Sequence, residues 1–189
     1  MNGAELRLSD EARAAAIAEV SGLVRNVPDF PAPGILFRDI TPVLRSASAM
    51  RAAIRLHLDA IADLAGRIDR IVGVESRGFL FGMPVAHALG VGFVPARKPG
   101  KLPAATVTQA YALEYGEGHL HMHADALDPG DRVLLVDDLL ATGGTAGAAA
   151  TLVHRLGGTV VASLFLIELV ALGGRARLDP LRVEAILAY

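Results

Sequence analysis

The run VLLVDDLLATGGT, Val133 to Thr145, constrains the fold more than any other stretch of the chain. Val133, Leu134, Leu135 and Val136 are consecutive apolar residues with no polar alternation. As a strand they are buried on both faces, the condition of a parallel sheet covered by helices. Two acids, Asp137 and Asp138, end the run, Gly143 and Gly144 make a turn, and Thr145 to Leu156 has the pattern of a helix. A buried strand that turns through glycine into a helix is half of a βαβ unit, so the rest of the chain is read for its partners.

DRIVGVES, Asp69 to Ser76, is a second apolar strand with a polar end, followed at once by a helix from Gly78 to about Leu89 and by the strand GFVPARK. Arg77 and Arg97 bracket nineteen residues without formal charge, long enough to raise the question of a membrane span. Pro84, Pro95, His87 and the glycines 90 and 92 divide that stretch into a short helix and a short strand instead. Ser9 caps an expected helix with Asp10 and Glu11 in its first turn and Ile17, Val20 and Val24 on one face, ending near Arg25. VPDFPAPG, from Val27, is expected to be a loop, ILFRDI a short strand, and Ser48 to Ala65 an amphipathic helix. Pro99 to about Ala110 lacks apolar periodicity and reads as a mobile loop, with YALEYG and HLHMHADAL beyond it as a hairpin pair. TVVASLFLIEL, Thr159 to Leu169, is the last expected strand. The alternation predicts an α/β fold with an open, mainly parallel twisted sheet flanked by helices.

With 189 residues and 52% hydrophobic composition the chain can bury one core, and residues 1–189 are expected to form one domain. A net charge of -2 argues against nucleic acid as a partner, because contacts to many phosphates need a surplus of cations. The chain has no cysteine, which excludes disulfides, thiolate metal sites and a cysteine nucleophile. Its first twenty residues lack the basic-then-apolar pattern of a signal peptide, so a cytoplasmic protein without a membrane partner is expected.

In doubly wound sheets, ligands bind beyond the carboxyl ends of the strands. After the first run, the backbone amides of a glycine turn and the positive end of a helix dipole make an anion site, to which the hydroxyls of Thr142 and Thr145 add donors. Asp137 and Asp138 repel a phosphate but accept hydrogen bonds from adjacent sugar hydroxyls, so the combination suits a ribose phosphate. The second polar end, Ser76-Arg77-Gly78, opens another helix. The third, ARKPGKLP, holds Arg97, Lys98 and Lys101, and these are the only two lysines in a chain with sixteen arginines. Such a cluster would stabilise charge developing on a departing anion. His119, His121 and His123 alternate along a strand; collinear ligands fit tetrahedral zinc poorly, so a polar strand face is the expectation.

VLLVDDLLATGGT resembles the phosphoribosyl pyrophosphate motif of type I phosphoribosyltransferases, and FPAPGILFRDITPVL, ESRGFLFG, RKPGKLP, YALEYG and LFLIEL follow the order and approximate spacing found in the adenine-using members of that family. The resemblance covers Asp29 to Leu169. It implies the type I phosphoribosyltransferase fold, with residues from about 26 to 45 contributing to a small base-binding hood, a hairpin over the active site, and a mobile catalytic loop at about 98–112. It implies the transfer of a phosphoribosyl group from phosphoribosyl pyrophosphate to adenine, in a homodimer. Ribose phosphate would meet Asp137, Asp138, Ala141, Thr142, Gly143, Gly144 and Thr145; pyrophosphate would meet Ser76, Arg77, Arg97, Lys98 and Lys101. Adenine would lie between Phe37 and Leu169, with the main chain at Leu36 and Arg38 reading its edge. Arg77, Glu114 and Tyr115 would be the catalytic residues. Magnesium would arrive with the substrate near Asp137 and Asp138, since it takes substrate oxygens and water readily as ligands.

Overall fold

The computed structural model describes residues 3–112 and 116–189. Its framework is a five-stranded parallel sheet in the order β4-β3-β7-β8-β9, where β3 is Arg70–Val74, β4 Gly92–Ala96, β7 Arg132–Leu140, β8 Thr159–Glu168 and β9 Val183–Ala188. Strand side chains alternate between two cores, which explains why these strands read as continuous apolar runs. Ile71, Leu134, Val136 and Leu164 face one core together with the helices α2 (Asp10–Leu23), α4 (Ala47–Ala60) and α5 (Gly78–Leu89). Val72, Val133 and Leu135 face the other, beneath α6 (Gly144–Arg155).

Ser9 accepts a hydrogen bond from the Ala12 amide at 3.2 Å and caps α2 as its sequence suggests, following the short helix α1 (Gly3–Leu6). Leu23 ends α2, and Val27 and Pro28 are not loop but part of a strand, β1 (Arg25–Pro28), antiparallel to β2 (Leu36–Asp39). Proline is tolerated there because the two-stranded ribbon has free edges. The helix expected over Ser48 to Ala65 starts earlier and stops sooner: Ser46 separates it from α3 (Thr41–Arg45), and a 3-10 turn, Ala62–Leu64, follows it.

The stretch read as a loop to about Ala110 is ordered from Thr106, as β5 (Thr106–Ala112) pairs with β6 (Glu117–His123). Val107 and Tyr111, two apolar residues on one face of β5, pack against the α6-side core and supply what periodicity alone did not reveal. Leu120 and Met122 are buried, whereas His119, His121 and His123 take the opposite alternation and are only partly covered, as expected of a polar strand face. The sequence reading had no counterpart for α7 (Gly174–Leu178) or β9. Leu178 and Val183 join Leu140 and Phe165 in a third small core.

Candidate active site

The strand expected to end at the two acids continues past them. Leu139 and Leu140 still pair with Ile167 and Glu168 of β8, so Asp137 and Asp138 sit inside the last stretch of β7. Asp137 is half-buried and Asp138 is 4% exposed. Burial pushes both carboxyls above the usual range; the neighbouring charge of Asp138 pushes Asp137 further, while the Arg77 guanidinium opposes the shift at Asp138. Both acids therefore favour company that lets them ionise, whether a cation or hydroxyl donors.

Ala141 to Gly143 leave the strand, and Gly143, with φ at 78°, turns the chain into α6. An added Cβ there would lie 2.7 Å from the Gly174 carbonyl oxygen, so the turn needs glycine both for its left-handed backbone and for room. No side chain among the described residues caps α6, and its first amides open into a cleft lined by the loop Ala141–Thr145. Unpaired amides at a helix start, with the helix dipole behind them, are chemically suited to an anion.

Across the cleft, Gly78 starts α5 flush against β7. A Cβ on it would sit 2.6 Å from the Val136 carbonyl oxygen and 3.0 Å from the Asp137 Cα. This close approach brings Ser76 and Arg77 to the acids, and Arg77 Nε lies 2.9 Å from Asp138 Oδ2. The same guanidinium lies 5.7 Å from the Phe37 ring centroid. Arg77 thus touches both the cleft and β2, within the range of a cation–π contact.

The three cations of ARKPGKLP divide. Lys98 lines the cleft and Lys101 is exposed. Arg97 is engaged instead: its Nε is 3.2 Å from Glu75 Oε2, and it donates to the Lys101 carbonyl at 3.2 Å. Glu75 also accepts the Lys98 amide at 2.9 Å. Burial works against its ionisation, but that amide and Arg97 prevail and hold its carboxyl below the usual value. Glu75, which sequence reasoning passed over, ties the cationic loop to the Ser76-Arg77 turn. The signal was a lone acid directly after a buried strand. Tyr111 was also missed; it lines the cleft from β5, and its ring fills the space a Cβ on Gly118 would need.

On the hood, Phe30 and Phe37 meet edge to face with centroids 5.1 Å apart, and Leu36 is exposed. The Arg38 side chain bonds Asn26 Oδ1 and stands 4.2 Å over the Tyr189 ring, while its main chain pairs with β1 opposite Asn26. Leu169 is half-buried just beyond β8, its amide donating to the Leu140 carbonyl at 2.9 Å. Glu114 and Tyr115 lie outside the described residues. Among the described residues no group of three or more His, Cys, Asp or Glu could hold a metal. His119 instead meets Glu117 at 3.1 Å, and His121 exchanges backbone hydrogen bonds with Arg97.

Residues 41–183 match the phosphoribosyl transferase domain. The chain is 56% identical over 161 residues to an adenine phosphoribosyltransferase of Edwardsiella ictaluri, covering 85% of this chain and 87% of that one. The crystal structure of adenine phosphoribosyltransferase from Thermoanaerobacter pseudethanolicus is 50% identical, with a TM-score of 0.87 over 92% of this chain and 99% of that one. The Saccharomyces cerevisiae adenine phosphoribosyltransferase, solved with an imino-altritol bisphosphate and adenine, is 40% identical, with a TM-score of 0.88 over the same shares.

Proposed function

Because this chain belongs to the phosphoribosyl transferase family, and its relatives over most of their length are adenine phosphoribosyltransferases, we propose that it joins adenine to phosphoribosyl pyrophosphate, giving AMP and pyrophosphate. One observation carries the reading to residues: Arg77 bridges an anion cleft backed by two carboxyls and an aromatic residue on the hood. That arrangement suits a substrate pair of ribose phosphate and flat base.

In the reaction, the amides and hydroxyls of Ala141–Thr145 hold the 5-phosphate, and Asp137 and Asp138 accept hydrogen bonds from the ribose hydroxyls. Phe37 and Leu169 cover the faces of adenine, and the backbone at Leu36 and Arg38 reads its edge. An imidazole-ring nitrogen of adenine displaces pyrophosphate at the anomeric carbon with inversion, through an oxocarbenium-like transition state. Ser76, Arg77, Lys98 and Lys101, with Arg97 behind them, stabilise the charge that develops on the leaving group. Glu114 takes the proton that adenine loses, Tyr115 assists it, and the stretch 98–105 leading into β5 helps to exclude water. The paired carboxylate oxygens of Asp137 and Asp138 suit a hard divalent ion; magnesium there would neutralise pyrophosphate, its other ligands being substrate oxygens and water.

The enzyme works as a homodimer in the cytoplasm. Support for the dimer is an apolar face on α4 and α5, where Leu80 and Met83 are exposed beside a groove lined by Leu44, Met50, Ile54 and Pro84. No helix among the described residues is long and apolar enough to cross a membrane. Release of pyrophosphate with magnesium and each of adenine, hypoxanthine, guanine and xanthine tests the assignment: adenine should be preferred, and turnover of another purine without adenine turnover would overturn it.

A further inference from the structure

The end of β8 that carries Leu169 and the loop from Ala141 to Gly143 are both held by one short helix, α7. Its first residue, Gly174, is wedged into that loop: a Cβ on Gly174 would overlap the Ala141 carbonyl oxygen and lie 3.0 Å from the Gly143 nitrogen. Its second residue, Arg175, grips Glu168, the last residue of β8. Arg175 Nε lies 3.1 Å from Oε1 and 3.2 Å from Oε2, and Nη2 lies 2.5 Å from Oε2. The remaining guanidinium nitrogen donates to the Val183 carbonyl of β9 at 2.6 Å. Glu168 is only 7% exposed, so its side chain is oriented by this fork, while just beyond β9 the Tyr189 amide donates to the Glu168 carbonyl at 2.9 Å and holds its backbone.

We propose that Arg175 is a positioning residue: by locking the end of β8 and the start of β9 to a helix whose neighbouring Gly174 is wedged in the sugar-phosphate loop, it reinforces the Leu169 amide to Leu140 carbonyl bond and fixes the orientation of Leu169 relative to that loop. The inference rests on the reading of Leu169 as a face of the adenine site. Arg175 touches neither substrate. A planar fork with three acceptors fixes direction as well as charge, which a lysine cannot reproduce.

Steady-state kinetics of the full chain with magnesium, varying adenine and phosphoribosyl pyrophosphate in turn, test this. Arg175→Lys is expected to raise the adenine KM about tenfold, because a small misplacement of a binding group is enough for such a loss. The KM for phosphoribosyl pyrophosphate should change less than about threefold, since Gly174 still fills the loop. Arg175→Met combined with Glu168→Gln removes both charges, so thermal stability should recover relative to Arg175→Met alone while the adenine KM stays raised. A purely structural role would move the unfolding temperature and the fraction of active enzyme but neither KM. Unchanged adenine KM in Arg175→Lys and in the double variant, with an active wild type, overturns the inference alone. A wild type inert toward adenine overturns the functional reading, and the inference falls with it.

Discussion

The cleft at the end of β7, the proposed sugar-phosphate cradle, and the hood meet at Arg77, yet they are built by opposite means. In the cradle, backbone packs on backbone: Gly78 lies against Val136 and Asp137, Gly143 lies against Gly174, and both contacts leave no room for a methyl group. The hood is a two-stranded ribbon of four-residue strands, stitched by side chains through Arg25 to Asp39, Arg38 to Asn26, and Phe30 to Phe37. A ribbon of that size is marginal alone and draws its order from such contacts. On the proposed function, amides that bind a phosphate must stand at fixed positions, whereas a ring that stacks on a base tolerates small shifts, and the stiffer construction falls where that chemistry would need it.

Breaking the cradle should have the largest effect. Gly143→Ala forces a side chain onto a left-handed residue facing the Gly174 carbonyl, and kcat/KM is expected to fall about a hundredfold or more. Steady-state kinetics check it, and near-normal turnover would mean the loop has slack.

The response to acid should separate the layer behind the cradle from the hood. His57 of α4 is fully buried, stacks on Phe81 of α5 at 5.1 Å, and is held down to about 4 by burial, against the raising effect of its hydrogen bond to the Ala53 carbonyl. Folding favours its neutral form, so its contribution is complete above about pH 6.5 and is lost as pH falls from there toward 4; the full loss is on the order of 3 kcal/mol. In the hood, the Thr41 hydroxyl and amide, with Arg25, hold the Asp39 carboxyl down to about 2. Its contribution is complete above its unfolded value of 3.8 and is lost only as pH falls from there toward 2. Denaturant unfolding at pH 7 and pH 4.5 should show a drop that His57→Leu reduces and Asp39→Asn does not; an equal drop in both variants would remove His57 as its source.

Phe37→Leu probes the hood directly. The side chain is only half-buried, so stability should change little, while the adenine KM rises about fivefold through lost stacking, worth about 1 kcal/mol. An unchanged adenine KM would take Phe37 out of the base site. The smallest effect is expected from Arg25→Ala, because the Arg25 side chain is 62% exposed and a surface pair contributes at most about 1 kcal/mol. A larger loss of stability in thermal unfolding would show the hood to be as tightly built as the cradle.

The cradle was legible in the sequence and the hood far less so, for a physical reason visible in single residues. The run from Val133 to Val136 is apolar on both faces because β7 lies mid-sheet, as β3 and β8 do, and such strands announce themselves in the sequence. Gly143 is forced by local backbone geometry. The ribbon β1–β2, by contrast, carries mixed residues and prolines, and its pairing is a partnership between segments separated in sequence. β5 was hidden for the same reason: Thr106 to Ala112 has one weak apolar face, and its strand character depends on β6 and on the α6-side core.

By itself, then, the sequence determined the buried parallel strands, the turn into α6 and the residue types gathered at the strand ends, since these follow from local periodicity and backbone sterics. Tertiary structure alone decided which of those residues touch. Arg77 could have been a solvated arginine until Gly78 let α5 close on β7, and Arg97 an open cation until β3 and β4 set it beside Glu75. Glu168 and Arg175 are seven residues apart in the chain, yet their pairing exists only because α7 folds back over the end of β8. Such contacts are chosen by packing, which weighs every neighbour at once, and no local pattern carries that information.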